Sequence, residues 1–69
     1  MKNCIPRHFY RITGRMLVDT NIDRAGDILH VSKNDYGCLA LNMRTGKYAY
    51  AFVSMLRNPE LFEILEVVN

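Results

Sequence analysis

Cys4, His8, His30 and Cys38 are four side chains of the types that hold zinc, brought together in one short chain. Their spacing argues against a metal site. Structural zinc sites pair their ligands closely, as in C-x2–4-C, whereas Cys4-x3-His8 and His30-x7-Cys38 are irregular. A Cys38 nucleophile with His30 as its base would need a third group to orient the imidazole, and none is evident. Asp19, Asp23 and Asp27 recur at four-residue intervals. They lack the fuller pattern of a calcium loop and read as solvated loop charges. No phosphate-binding glycine loop, nucleophile elbow or pair of catalytic carboxylates occurs. The expectation is a non-enzymatic chain with no cofactor and no metal. The chemistry that is left is binding chemistry, carried by the alternating Tyr48, Tyr50 and Phe52 and by the cations Arg7, Arg11, Arg15, Lys33, Arg44 and Lys47.

The elements that must position these residues share one core, because 69 residues leave no room for a second. With 49% apolar and 23% charged residues the composition is that of a folding globular domain. So short a chain is marginally stable unless a disulfide, a metal or self-association supports it. Two cysteines far apart in sequence read as reduced thiols rather than a disulfide scaffold. Residues 1–6 never reach an apolar run and Pro6-Arg7 interrupts them, so no secretory leader is expected. No stretch approaches the roughly 20 apolar residues of a membrane span. A cytoplasmic protein is the simplest reading. The net charge of +2 is too small to require nucleic acid. It is unevenly placed, however: Lys2, Arg7, Arg11 and Arg15 face Glu60, Glu63 and Glu66 from the other end of the chain. Either terminal strands pair through these charges, or the basic arm contacts phosphate.

Ile28 to Val31 is a β-branched-rich run, followed by a loop from Ser32 to Gly37. Cys38 to Met43 and Tyr48 to Val53 read as two strands joined by a tight hairpin. Ser54 to Glu60 breaks the β pattern, with Ser54 and Asn58 as caps and Pro59 at a first helical position, which predicts one helical turn. Phe62 to Val68 resumes as a closing strand with acidic residues on its wet side. Near the start, Phe9 to Ile12 reads as a strand, although Ile5, Phe9, Ile12 and Met16 also fit a helical face. Gly14 favours the strand, since glycine weakens a helix interior by about 1 kcal/mol relative to alanine. Arg15 to Ala25 is then a long hairpin loop whose Met16, Val18 and Ile22 tuck onto the core.

This order across residues 8–68 resembles the Src-homology-3-like barrel. The pieces that carry the resemblance are Gly26-Asp27 ahead of Leu29 and Val31, the Thr45-Gly46 turn, and the segment Val53 to Leu56 leading into a helical turn and last strand. The resemblance implies a mostly-β fold, a small five-stranded barrel with one short helical turn before the last strand, residues 1–7 forming an N-terminal arm. It also implies a ligand groove from Asp19 to Asp23, Asn34 to Tyr36 and Met55 to Asn58, which makes Tyr36 a candidate contact. The chain departs from the eukaryotic proline-rich-peptide binders in having no tryptophan. Its closer likeness is to bacterial and phage barrels that share the fold without that groove, and their ligands differ widely.

A two-residue loop at Thr45-Gly46 would put a β-branched residue at positive φ, so a three-residue loop of Arg44-Thr45-Gly46 is expected. In that register Leu41 faces Ala49 and Leu39 faces Ala51, and these residues join Leu29 and Val31 in the core. The opposite face gathers Cys38, Ala40, Asn42, Tyr48, Tyr50, Phe52 and His30. That face either docks a partner or is covered by the segment Cys4 to Phe9. The leading functional expectation is a protein-binding module, a stand-alone phage or mobile-element protein that occupies a host protein or associates with itself. The alternative is a small-barrel nucleic-acid binder whose six cations meet phosphates while Tyr48 or Tyr50 stacks on bases.

Overall fold

Five segments are strands in a computed structural model that describes residues 3–69. Lys2, and the first two positions of the expected arm, lie outside the described residues. The strands are β1 (Arg11–Met16), β2 (Ile28–Asn34), β3 (Gly37–Asn42), β4 (Tyr48–Ala51) and β5 (Phe62–Val68), with one short helix, α1 (Val53–Leu56), before the last. All neighbours are antiparallel, in the order β4-β3-β2-β1-β5. This is a mostly-β fold of five strands in one open sheet. The expected closure into a barrel is not seen: β4 and β5 are the two edges of the sheet. Among the described residues no helix is long and apolar enough to cross a membrane.

The first strand lies later than its expected span of Phe9 to Ile12, and no helix forms there. Ile12, Gly14 and Met16 all point to the buried side while Arg11, Thr13 and Arg15 face outward. That two-residue period, rather than the four-residue spacing of Ile5, Phe9, Ile12 and Met16, governs the segment. The helical turn also begins earlier than expected. Ser54 lies inside α1 with no side-chain cap at Phe52, and Asn58 instead accepts the backbone N–H of Glu60 through its Oδ1 at 2.9 Å, turning the chain into β5.

One side of the sheet carries the core: Ile12 and Met16 from β1, Leu29 and Val31 from β2, Cys38 and Ala40 from β3, Leu56 from α1 and Phe62 from β5. Ile5 and Phe9 of the N-terminal segment pack on this same side, together with Val18, Ala51 and Met55. Asn3 holds the arm there, its Nδ2 donating to the carbonyl oxygens of Leu56 at 2.9 Å and Phe62 at 2.6 Å. The described residues of the arm therefore pack against the core and not on the aromatic face.

The register of the β3–β4 hairpin corrects the expected one by a single residue. Leu39 pairs with Tyr50 and Leu41 with Tyr48, while Cys38 pairs with Ala51 and Ala40 with Ala49. Asn42 N–H donates to the Lys47 carbonyl at 3.0 Å, so the loop is Met43-Arg44-Thr45-Gly46, one residue longer than expected. Gly46 does take positive φ, at 72°. The cause of the longer loop is Asn42, whose Oδ1 accepts the backbone N–H groups of Arg44 at 2.8 Å and Thr45 at 3.2 Å and so builds a turn around its own side chain. A one-residue slip exchanges the faces of a strand. Cys38, Ala40 and Asn42, expected on the outer face, are buried, and Leu39 and Leu41, expected in the core, lie half-buried on the outer face. Ala49 and Ala51 keep their inward placement.

The two ends of the chain do pair through their charges. Arg15 and Glu63 sit opposite each other on β1 and β5 with Nη1 and Oε1 3.2 Å apart, and Arg11 reaches Glu66 at 3.7 Å. Both pairs are well exposed and contribute little to stability.

Candidate functional site

The outer face of the sheet follows from the register. His30 of β2 sits opposite Leu41 of β3, which sits opposite Tyr48 of β4; Ser32, Leu39 and Tyr50 make the adjacent row. Tyr48 and Tyr50 are 65% and 59% exposed, enough to leave both rings open to a partner. Replacing the expected small residues by Leu39 and Leu41 makes this face more apolar than the sequence implied. Tyrosine suits such a face because it offers a large contact area with few rotamers to freeze.

A groove of about 630 Å³ runs along β4, lined by every residue from Tyr48 to Phe52. Its floor is Ala40, Ala49 and Ala51, its walls are Thr20 to Asp23 and Met55, and Phe52, 80% exposed, stands at its end. The small floor residues are the inward half of the Tyr-Ala-Tyr-Ala alternation in β4. Thr20 to Asp23 and Met55 belong to the region that the family resemblance implied for a ligand. Tyr36 is 85% exposed in the β2–β3 turn and does not line the groove.

What holds the groove's loop wall in place is a polar cluster that sequence reasoning missed. Asp23, Asp27 and Asn42 are all buried. Asn42 Nδ2 donates to Asp23 Oδ1 and to Asp27 Oδ2, both at 2.8 Å. Arg44 grips Asp27 with two hydrogen bonds, from Nε at 2.7 Å and Nη2 at 2.9 Å, and the Arg24 backbone N–H donates to the same carboxylate at 2.9 Å. Asn42 is thus a correction in role as well as position: expected to contact a partner, it ties the loop before β2 to the β3–β4 hairpin. Asp23 and Asp27, read as solvated loop charges, are its acceptors. An asparagine just before a glycine-bearing turn was the available signal, but its acidic partners lie 19 and 15 residues away.

The Arg44 guanidinium, then Asn42 and the Arg24 N–H, hold the Asp27 carboxyl well below the usual carboxylate range, and the Arg44 pKa is raised in turn by Asp27. A carboxyl whose folded pKa is depressed stabilises the fold fully above its unfolded value near 4, and that stabilisation fades as pH falls towards the folded value. The melting temperature should accordingly hold between pH 5 and pH 8, as far as this cluster sets it, and decline below about pH 4. Asp27→Asn should flatten the acid limb in circular-dichroism melts. An unchanged acid limb in that variant would show that Asp27 does not control it.

The six candidate phosphate contacts do not form one stripe. Arg11 and Arg15 are paired with Glu66 and Glu63, and Arg44 with Asp27. Lys33 lies over the Phe9 ring, 5.8 Å from its centre, and donates to the Arg7 carbonyl at 3.1 Å. Arg7 and Lys33 flank a small cavity at the arm, whereas Lys47 lines the β4 groove. Cys38 and His30, expected on one face, point to opposite faces of the sheet, so they do not form a nucleophile–base pair. No family model, curated protein or solved structure matches the chain.

Proposed function

We propose that this domain is a non-enzymatic protein-binding module whose contact surface is the outer face and free edge of the β3–β4 hairpin. The observation that supports it most directly is the row of Leu39, Leu41, Tyr48 and Tyr50, which stays open because the N-terminal arm packs on the opposite side of the sheet. An apolar, aromatic surface of this kind on a small domain marks an interaction site. The strand order β4-β3-β2-β1-β5 with a helical turn before the last strand also supports reading the fold as a Src-homology-3-like barrel that stands open beside β4. A nucleic-acid interface is the weaker reading, since Arg11, Arg15 and Arg44 already have carboxylate partners.

The test is capture from a cell lysate by the immobilised domain, with nuclease and in rising salt. A protein retained at high salt after nuclease treatment is the expected result, and Tyr50→Ala should weaken its binding by more than about fivefold while leaving the melting curve in place. Binding that disappears with nuclease, or falls steeply with salt, would point to phosphate contacts instead.

A further inference from the structure

Edge strands are normally blunted by being very short, or by proline, lysine, a bulge or a covering element. Tyr48–Ala51 is short, at four residues, but holds no proline, lysine or bulge, and among the described residues β4 pairs only with β3. The direction of its free backbone groups follows from the ladder. Asn42 and Lys47 are joined by a hydrogen bond across the loop, and hydrogen-bonded pairs recur at every second position, so Ala40 with Ala49 and Cys38 with Ala51 exchange the β3–β4 bonds. The N–H and C=O groups of Tyr48 and Tyr50 therefore point away from β3. No intramolecular partner is found for them among the described residues.

We infer that a second copy of this chain occupies this edge, β4 against β4, antiparallel about a twofold axis at Ala49. The inference rests on reading this hairpin as a protein-binding surface. The argument is register. With Ala49 opposite its own copy, Tyr48 faces the partner's Tyr50 and Tyr50 faces the partner's Tyr48, so each tyrosine's outward N–H meets an outward C=O and four backbone bonds close. Ala49 and its copy then form the non-hydrogen-bonded pair between them. The same register stacks tyrosine against tyrosine on the outer face, where cross-strand aromatic pairs add stability. A symmetric contact needs a self-complementary patch, and Tyr-Ala-Tyr centred on Ala49 is one. A foreign extended peptide could use the same four bonds, but no feature of β4 selects its side chains. Four residues a side are far fewer than the roughly 20–30 of a standard interface, so the dimer should be weak, with a micromolar dissociation constant.

The 69-residue protein carrying Cys4→Ser and Cys38→Ala, the second because Cys38 lies directly opposite position 51 and would capture a cysteine there, tests it by analytical ultracentrifugation and by site-directed oxidation. Sedimentation should show a monomer–dimer equilibrium across roughly 1–500 μM, the range that brackets a micromolar constant. Tyr50→Pro should weaken it at least tenfold, because proline removes an outward N–H that the β3–β4 ladder does not use, and edge strands accept it there. Mild oxidation of Ala49→Cys should give a disulfide dimer, since Cα atoms of a non-hydrogen-bonded pair lie about 4.5 Å apart, within the range a disulfide spans. Ala51→Cys should not, because its copy would sit about four residues away along the partner strand, roughly 13 Å. The Ala49→Cys result needs no loss of function, so it stands even if the proline variant fails to fold. Purely monomeric protein, or cross-linking equally efficient at both positions, would overturn the dimer. If the protein is monomeric but still retains a lysate protein that Tyr50→Ala releases, the binding-module reading survives and a foreign strand is the occupant. If it dimerises through Ala49 and retains nothing else, the self-association stands alone.

Discussion

Gly14→Ala should remove more than half of the stability of a domain at the low end of the usual range, the largest loss expected from any single added methyl group in this chain. Gly14 lies on the buried side of β1, between Ile12 and Met16, both with no exposed surface. A Cβ there would fall within the ring of Phe62 and 2.7 Å from the carbonyl oxygen of Glu63. The ring belongs to a fully buried residue paired with Met16 across β1 and β5, and the Glu63 oxygen belongs to backbone in the same ladder. Neither can yield without moving the other. Glycine weakens a strand by about 0.5–1 kcal/mol. Here it makes room for the largest core side chain. Overpacking at such a site should cost about 3 kcal/mol or more, a large part of the roughly 5 kcal/mol at the lower end of domain stabilities. Denaturant titration measures it. The double variant Gly14→Ala with Phe62→Leu should lose less than the sum of the two single losses, because the ring that the methyl strikes is gone while Glu63 remains. A Gly14→Ala protein within about 0.5 kcal/mol of the parent, the scatter of neutral surface changes, would mean that the ring does not lie over Gly14.

Gly14 also shows what can and cannot be read from the sequence. Its presence argued for a strand, and a strand forms, but the reason it must be glycine is a residue 48 positions later. The existence of β2, β3, β4 and β5 was legible because each is a short run of β-branched, aromatic or other apolar residues bounded by turn residues, and the helical turn because that pattern breaks at Ser54. The faces of β4 match the expected ones although the register that implied them does not, since Ala49 and Ala51 lie inward in both, and Tyr48 and Tyr50 point outward. The face of β3 was not legible. Leu39 and Leu41 are the larger apolar residues and suggested the core, yet the Asn42 turn sets the register that turns them outward and brings Cys38 and Ala40 into the core cluster. Closure was not legible either, because period-two patterning says that a segment is extended and not which edges meet.

Asn42→Ala should be the second costly substitution, for a reason that no local propensity contains. Asn42 accepts two turn N–H groups and donates to two carboxylates, so alanine removes four hydrogen bonds at a site only 4% exposed. Asp27 keeps Arg44 and the Arg24 N–H, but Asp23 is left without a side-chain donor. A buried carboxylate without its donor, together with two uncapped turn amides, should cost about 2–4 kcal/mol. The loss has a structural signature as well. Without the Asn42 side chain inside the turn, the four-residue loop loses its advantage over the three-residue one, whose register would carry Leu39 and Leu41 inward. Hydrogen exchange should therefore show β3–β4 amide protection falling further than protection in β1 and β2. Asn42→Asp separates the two roles of the side chain, because it retains oxygens for the turn but sets a third carboxylate against Asp23 and Asp27. At pH 7 it should be less stable than Asn42→Ala, like charges outweighing the retained turn bonds. An Asn42→Asp protein as stable as the parent would mean that the turn alone matters and that the groove's loop wall does not depend on Asn42.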